Sequence, residues 1–205
     1  MNGVPATAEW LPVAHPNNPF PYEVLDCRCV ALTYMSLTSD TTVLTSFVRS
    51  RASDGRELRG QSPIGAVAVP GELHFPGLRM PDGPLFVASE MEHKWDLYAY
   101  DGDLYARRSW TGDLIHTAAI TTLPEEIVLD KIQSNTSDAL AEIEFLVTWY
   151  VARRPFPFSI PPELFEIGDA DTQKDTEIKD IKMLIAIWGW QAHGRLAQFG
   201  RRMRS

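Results

Sequence analysis

Three side chains of different chemistry come together in the middle of the chain if that stretch folds into two consecutive hairpins. They are Asp96, Arg107 and His116. An acid, a guanidinium and an imidazole on one sheet face can together bind an anion or move a proton. A surface ion pair with a neighbouring histidine explains the same residues without any chemistry. Because the sequence identifies neither a nucleophile nor a substrate pocket beside them, this cluster predicts a candidate site but no reaction.

Tyrosines are predicted on the same face as this cluster. Tyr98, Tyr100 and Tyr105 would lie together with Arg107, a composition that is enriched at protein interfaces. The alternative is that a helix covers the tyrosines, so that they belong to the core. Trp110 is a further candidate, as the wall of a pocket between sheet and helices. The candidate ligand- or partner-binding residues are therefore Asp96, Tyr98, Tyr100, Tyr105, Arg107, Trp110 and His116.

Other groupings of reactive side chains do not form a convincing site. On a strand, Glu90 and Glu92 share one side while His93 points away, which is poor geometry for a single metal ion. Residues 168–173 alternate oxygen-bearing side chains like a calcium loop, but Lys174 stands where the turn glycine should be. The sequence has no nucleophile elbow, glycine-rich phosphate loop or paired zinc-binding histidines. It therefore predicts no metal and no cofactor.

The elements that would position the candidate residues are specified best between residues 95 and 120. The pairs Asp101-Gly102 and Thr111-Gly112 are separated by aromatic arms with alternating polarity. An Asp-Gly pair accepts the left-handed backbone angles of a tight hairpin, and aromatic flanks favour a pleated surface. This pattern predicts three antiparallel strands.

Two-residue turns at both places would fix which side chains face each other. Tyr98 then lies opposite Tyr105 in the first hairpin, and Arg107 lies opposite His116 in the second. The face away from the tyrosines would carry Trp95, Leu97, Leu104, Trp110 and Ile115. The second turn has an alternative, a three-residue loop with Gly112 as a bulge. That loop would shift the register and move the side chains of the third strand to the opposite face.

The first half of the chain gives less regular patterns. Residues 1–21 contain four prolines and predict an extended arm. Residues 22–37 fit a helix or a strand, with the helix favoured. Residues 42–50 are rich in β-branched and aromatic side chains in alternation, which predicts a strand. Further strands are predicted at 66–69, at 84–91 and, with a short helix as the alternative, at 125–132.

The last third of the chain changes to helical periodicity. Ser137 is a suitable helix cap and Pro155 a suitable stop, with apolar residues spaced for one helix face between them. A second helix is predicted from about Thr172 to about Phe199, with a break near Gly194. The predicted fold is α+β, an antiparallel meander with central hairpins over 95–120, packed against helices at about 137–154 and 172–199. The predicted organisation is an arm over 1–21 and a single domain over 22–205.

The amino-acid composition and net charge limit which partners are expected. The 205 residues are 44% hydrophobic and 22% charged, as in an ordinary soluble globular protein, with a net charge of −8. This charge argues against nucleic acid and suits a basic protein partner.

Sparse cysteines and no secretory leader predict the cytoplasm. The strongest apolar run, 183–190, is too short to cross a membrane. Surplus apolar surface there, or an edge strand, is compatible with a homodimer.

Two functions follow as hypotheses. The first is a macromolecule-binding module, that is, a protein–protein interaction domain that uses its aromatic and arginine-bearing sheet face. The alternative is an enzyme or small-ligand-binding protein with a pocket between the sheet and the helices. That pocket would draw its side chains from Asp96, Arg107, Trp110 and His116.

Overall fold

A computed structural model of the chain describes residues 8–31, 38–160, 190–191, 195–196 and 199–202. The chain divides into two units, one made of residues 1–36 and 155–205 and the other of residues 37–154. Each unit has its own sheet. The predicted division into an arm and a single domain stays a prediction.

Over the described residues, the secondary structure contains strands, three α-helices and two irregular helical turns. In chain order the strands and helices are β1 (Glu9–Leu11), β2 (Val24–Asp26), α1 (Arg28–Ala31), α2 (Thr41–Ala52), β3 (Val67–Val69), β4 (Leu73–Pro76), β5 (Gly83–Phe86), β6 (Trp95–Tyr100), β7 (Asp103–Arg108), β8 (Leu114–Thr122), β9 (Glu126–Ser134), α3 (Ala139–Leu146), β10 (Phe158–Ile160), β11 (Trp190–Gln191), β12 (Arg195–Leu196) and β13 (Phe199–Arg202). A 3₁₀ turn covers Arg56–Leu58, and a π-helical turn covers Val147–Val151.

The unit of residues 37–154 contains a seven-stranded antiparallel sheet. Strands β5 to β8 each pair with the next strand in the chain, and both β3 and β4 pair with β9. This arrangement confirms the predicted α+β fold with a meander sheet. The first hairpin has the predicted register, with Tyr98 opposite Tyr105 and Asp96 opposite Arg107. Asp101 and Gly102 have φ values of 55° and 82°, the positive angles that a two-residue hairpin turn requires.

Helix α3 packs on one face of this sheet. Its residues Ala139 and Ile143 belong to the same buried cluster as Leu104, Ile127 and Leu129. Together with the π-helical turn that follows, α3 confirms the predicted helix at about 137–154. Burial of this apolar stripe attaches the helix to the sheet. Among the described residues, no helix is long and apolar enough to cross a bilayer.

The predicted strand over 42–50 is wrong, because these residues lie in α2. The carboxylate of Asp40 caps this helix and accepts a hydrogen bond from Thr42 N at 2.8 Å. The side chains turned inward follow helical rather than alternating spacing: Val43, Ser46, Phe47 and Ser50. The cap and these contacts outweigh the weak helix propensity of β-branched residues.

Other boundaries also differ from the predicted ones. The helix favoured over 22–37 is wrong at residues 24–26, which form β2, whereas α1 lies within the predicted range. Residues 32–37 lie outside the described residues. The strand predicted over 84–91 ends at Phe86, because Ala88 N donates to the Asp96 carboxylate at 2.8 Å instead of to a strand. Strand β3 falls inside the predicted 66–69, and β9 confirms the strand alternative for 125–132.

The unit of residues 1–36 and 155–205 has a four-stranded sheet in the order β1-β2-β13-β10. Most of the predicted helix over 172–199 lies outside the described residues. Within the predicted helix, β11, β12 and the first residue of β13, Phe199, are described, and all are in strands, so the prediction of helix is wrong at these positions. In β13, a side chain on Gly200 would overlap Ile160 of the parallel strand β10, so glycine permits this close pairing.

Candidate functional site

The predicted pair of Asp96 and Arg107 forms inside the protein, where it joins three elements. Arg107 Nε donates to Asp96 Oδ2 at 3.1 Å and Nη1 to Glu57 Oε1 at 2.7 Å. Nη2 donates to Tyr98 Oη at 2.7 Å and to the Ser50 carbonyl at 3.1 Å. The Arg107 side chain is only 5% exposed. One guanidinium therefore ties the C-terminal end of α2 and the 3₁₀ turn to the sheet.

The two carboxylates bound to Arg107 are in different surroundings. Burial raises the pKa of Asp96 in spite of the guanidinium beside it. Burial opposes ionisation of Glu57 too, but hydrogen bonds from Ser53, its own backbone and Arg107 outweigh it and lower the pKa of Glu57. The Glu57 side chain is half-exposed, so it reaches solvent while Asp96 does not. This arrangement is a structural ion-pair network, in which Asp96 is closed off from solvent.

The tyrosine face, defined by Tyr98, Tyr100, Tyr105 and Arg107, is covered by the chain itself. All four side chains are buried beneath residues 53–61, called the cover segment below. Tyr100 Oη donates to the Asp54 carbonyl at 2.6 Å, and Tyr105 Oη accepts from Gly60 N at 2.9 Å. The face is therefore part of the core of this unit and is not presented to solvent.

Gly55 fixes how closely the cover segment approaches. Its φ is 82°, and a Cβ at this position would overlap the Tyr98 ring. Arg59 then holds the far end of the segment through a bidentate pair with Asp101 at 2.6 and 2.7 Å. Glycine at position 55 thus lets the backbone lie directly on an aromatic ring.

His116 is not where the two-residue second turn would place it. It lies opposite Ala106, while Arg107 lies opposite Leu114, with a register shift between the two pairs. The loop contains four residues, 109–112, and is closed by Arg108 N donating to the Asp113 carbonyl at 2.9 Å. The predicted cluster of Asp96, Arg107 and His116 is therefore wrong in its third member. The change of face matches what a longer turn with a bulge imposes.

His116 belongs instead to a buried polar set beneath α3. Its Nδ1 is 2.9 Å from Ser134 Oγ, and its Nε2 is 3.0 Å from Glu142 Oε2. Thr136 Oγ1 donates to the same Glu142 oxygen at 2.7 Å, and the imidazole stacks on Trp95. Burial opposes ionisation of Glu142, but His116, Thr136 and the Arg108 charge outweigh it and lower its pKa.

The serine, histidine and glutamate of this set have the residue types of a hydrolytic triad. Ser134 and His116 are both 0% exposed, and Ser134 Oγ accepts from Thr136 N at 3.0 Å. A nucleophile needs access to a substrate carbonyl, which this burial denies. The set instead fastens α3 to β8 and β9. The sequence pattern missed Ser134 and Glu142, because their proximity depends on the register of distant strands.

Trp110 is the predicted residue that reaches an open depression, here called the hydroxyl groove. Its volume is about 540 Å³, and it is lined by Thr41, Thr42, Val43, Thr45, Ser46, Arg49, Trp110 and Thr111. None of the other six predicted residues lines it. Trp110 Nε1 donates to the Met91 carbonyl at 2.6 Å, which fixes the indole as a wall.

The groove lies between one face of α2 and the turn at 109–112. Thr41, Thr45 and Arg49 are successive residues at i+4 spacing, so this wall is roughly 12 Å long. Gly112, with a φ of 80°, lies close to the helix; a Cβ there would be 3.7 Å from Ser46 Oγ. Small residues on both sides therefore set the width of the groove.

A lysine lies behind the indole wall. Lys94 Nζ is 3.7 Å from the centre of the Trp110 ring and donates to the Met91 carbonyl at 2.7 Å. Burial, helped by the charge of Arg108, lowers the pKa of Lys94 to about 7. The charge behind the wall therefore changes close to neutral pH.

Comparisons of the chain with known protein families, with curated proteins and with solved structures find no match. Over the described ranges, no group of three or more His, Cys, Asp or Glu residues could hold a metal ion. The Asp40 cap, with Thr41, Thr45 and Arg49 at helical spacing, was the signal in the sequence that could have found one wall of the groove.

Proposed function

We propose that this protein is a macromolecule-binding module and that the hydroxyl groove takes a segment of a partner protein. One observation carries the proposal. Trp110, an aromatic residue that the sequence predicts to bind a ligand or partner, lines this groove together with an exposed arginine, Arg49, and several hydroxyl groups. Aromatic and arginine side chains contribute most strongly to protein interfaces. Hydroxyl groups can both donate to and accept from a peptide backbone.

The shape of the groove supports a segment rather than an enclosed small molecule. It is an open trough along about two turns of α2, whereas small-molecule sites usually bury most of the ligand surface. At roughly 3.3 Å per residue, a 12 Å wall accommodates about four residues of extended chain.

Affinity capture from native cells with three forms of the protein tests this proposal. The first form is the natural chain. The second is Thr45→Trp, whose indole fills the groove, and the third is Val48→Trp. Val48 is 64% exposed on the same helix and does not line the groove, so it is the matched control. We expect the natural chain and Val48→Trp to retain a partner that Thr45→Trp loses. Equal recovery by all three forms would rule out the groove as the binding surface.

The volume of the groove favours a second candidate function. About 540 Å³ falls within the usual range for small-ligand sites, which supports the small-ligand-binding alternative. A thermal-shift screen against a library of small metabolites distinguishes it. A compound that raises the melting temperature of the natural chain and of Val48→Trp, but not that of Thr45→Trp, would replace the protein partner by a small ligand.

A further inference from the structure

We infer that the segment taken by the hydroxyl groove is an acidic peptide, with a carboxylate placed at the Arg49 end. This inference rests on the proposed function and names the chemistry of its partner. It is carried by three features: the charge of the lining residues, the position of that charge along the helix, and the donors gathered around it.

Arg49 is the one charged side chain that lines the groove. It is exposed, and within the described part of the chain no ion pair of its guanidinium is found. Arg56 and Arg59 differ, since Arg56 pairs with Asp54 and Arg59 with Asp101. Arg51 stacks over the Phe47 ring and does not line the groove. A guanidinium that is left to solvent beside a binding trough matches a carboxylate, which it can bind with two parallel hydrogen bonds.

The charge is placed at one end of the groove. Asp40 caps the beginning of α2, and Arg49 lies about two turns further along. Gly112 packs against Ser46 and Ser50, which brings the turn at 109–112 to the Arg49 end. A bound acidic group is therefore directed away from the Asp40 carboxylate and towards the turn.

Further donors surround the same end. Thr111 Oγ1 accepts from Asp113 N at 3.4 Å and carries its own O–H donor. Ser46 supplies a second hydroxyl to the lining of the groove. No lining residue is acidic, so a carboxylate would meet only neutral or positive groups in the groove.

This local chemistry differs from what the whole chain suggests. The net charge of −8 favours encounter with a basic partner at long range. The affinity of the docked segment depends on the groups that lose water in the groove. Salt screens the other exposed charges beyond about 10 Å at 0.1 M ionic strength. The two effects act on different quantities, the association rate and the affinity of the docked segment.

Selection from a phage-displayed random 12-residue peptide library on the whole chain tests the inference. Peptides that bind the natural chain but not Thr45→Trp are synthesised with a fluorophore and measured by fluorescence polarisation. We expect these peptides to share an Asp or Glu residue. Replacing it by Asn or Gln should weaken binding about tenfold, the loss of one charge-assisted contact.

A matched pair of arginine variants locates the contact. In Arg49→Gln the acidic and amide peptides should bind equally, whereas Arg51→Gln should keep the tenfold preference. Arg51 has the same charge on the same helix but stacks over Phe47 outside the groove. Arg49→Glu should in turn prefer a peptide in which Lys replaces the acid.

The outcomes separate the two proposals. If the groove-dependent peptides are basic or neutral, the acidic partner is wrong. If they are acidic but Arg49→Gln keeps the preference, the placement of the carboxylate at Arg49 is wrong. In both cases the groove remains the binding surface. If no peptide is selected, or if Thr45→Trp binds every peptide as the natural chain does, the proposed function fails together with the inference.

Discussion

The tyrosine face and the hydroxyl groove are made from the same kinds of side chain, aromatic rings, an arginine and hydroxyls, but only the groove is open. On the tyrosine face, Arg107 and the tyrosine hydroxyls bind the backbone and side chains of residues 50–60. In the groove, Arg49 and Trp110 line an open trough. Side-chain composition alone therefore does not distinguish an open surface from one that the same chain already covers.

Replacing Arg107 should have the largest effect on stability. Arg107→Met leaves Asp96 buried without its partner and frees α2 and the 3₁₀ turn, so we expect a loss of about 3–5 kcal/mol in the free energy of unfolding. Urea denaturation measures it. The exposed pair of Arg56 and Asp54 provides the control, and Arg56→Gln should cost less than about 1 kcal/mol. Equal costs would mean that Arg107 is not structural.

Replacing Gly55 should have the next largest effect. Gly55→Ala places a methyl group in the Tyr98 ring and forces alanine to a φ of 82°. Gly60→Ala is the matched control, because Gly60 has a φ of 71° and nothing lies within 4 Å of a Cβ there. Both variants carry the backbone cost, and the overlap should add about 1–3 kcal/mol to Gly55→Ala alone. Similar melting temperatures for the two variants would contradict the close approach of the cover segment.

Removing the Glu142 charge should destabilise the protein in a pH-dependent way. The folded state lowers the pKa of Glu142, so the stabilisation is fully present above its unfolded pKa of roughly 4.3 and is lost as the pH falls through the folded pKa. Glu142→Gln should cost about 1.5–3 kcal/mol at pH 7 and progressively less in acid. Exposed Glu125 gives the control variant Glu125→Gln. A pH-independent cost would show that the charge of Glu142 does not contribute.

The groove variants should have the smallest effect on stability. Arg49→Gln removes an exposed side chain with no partner among the described residues, so we expect the free energy of unfolding to change by less than about 0.5 kcal/mol. Thermal unfolding followed by circular dichroism measures it. A loss as large as that of Arg107→Met would mean that Arg49 is structural, and the contrast between the two regions would disappear.

The first hairpin was predictable to the residue because its turn chemistry is local. Asp101-Gly102 accepts two positive φ angles, and that choice fixes every cross-strand pair from Trp95–Arg108 to Tyr100–Asp103. The second hairpin was not, because its four-residue loop carries only one glycine in the left-handed region. One changed register moved His116 to the other face.

Helix α2 shows how a local pattern can mislead. Its β-branched residues alternate as in a strand, while its stability comes from the Asp40 cap and from Arg107, which is far away in the sequence. One wall of the groove is a face of this helix. Because residues 42–50 were predicted to form a strand, the groove could not be predicted either. Arg49 and Thr45 could not be recognised as neighbours of Trp110 without the helix.

Hydrogen–deuterium exchange compares the two regions most directly, with the natural chain measured alone and with a selected groove-dependent peptide. We expect the peptide to slow exchange at residues 41–49 and 109–112 and to leave exchange in the cover segment unchanged. Slower or faster exchange at residues 53–61, with none at the groove, would contradict it. That result would mean that the tyrosine face is uncovered to bind the partner.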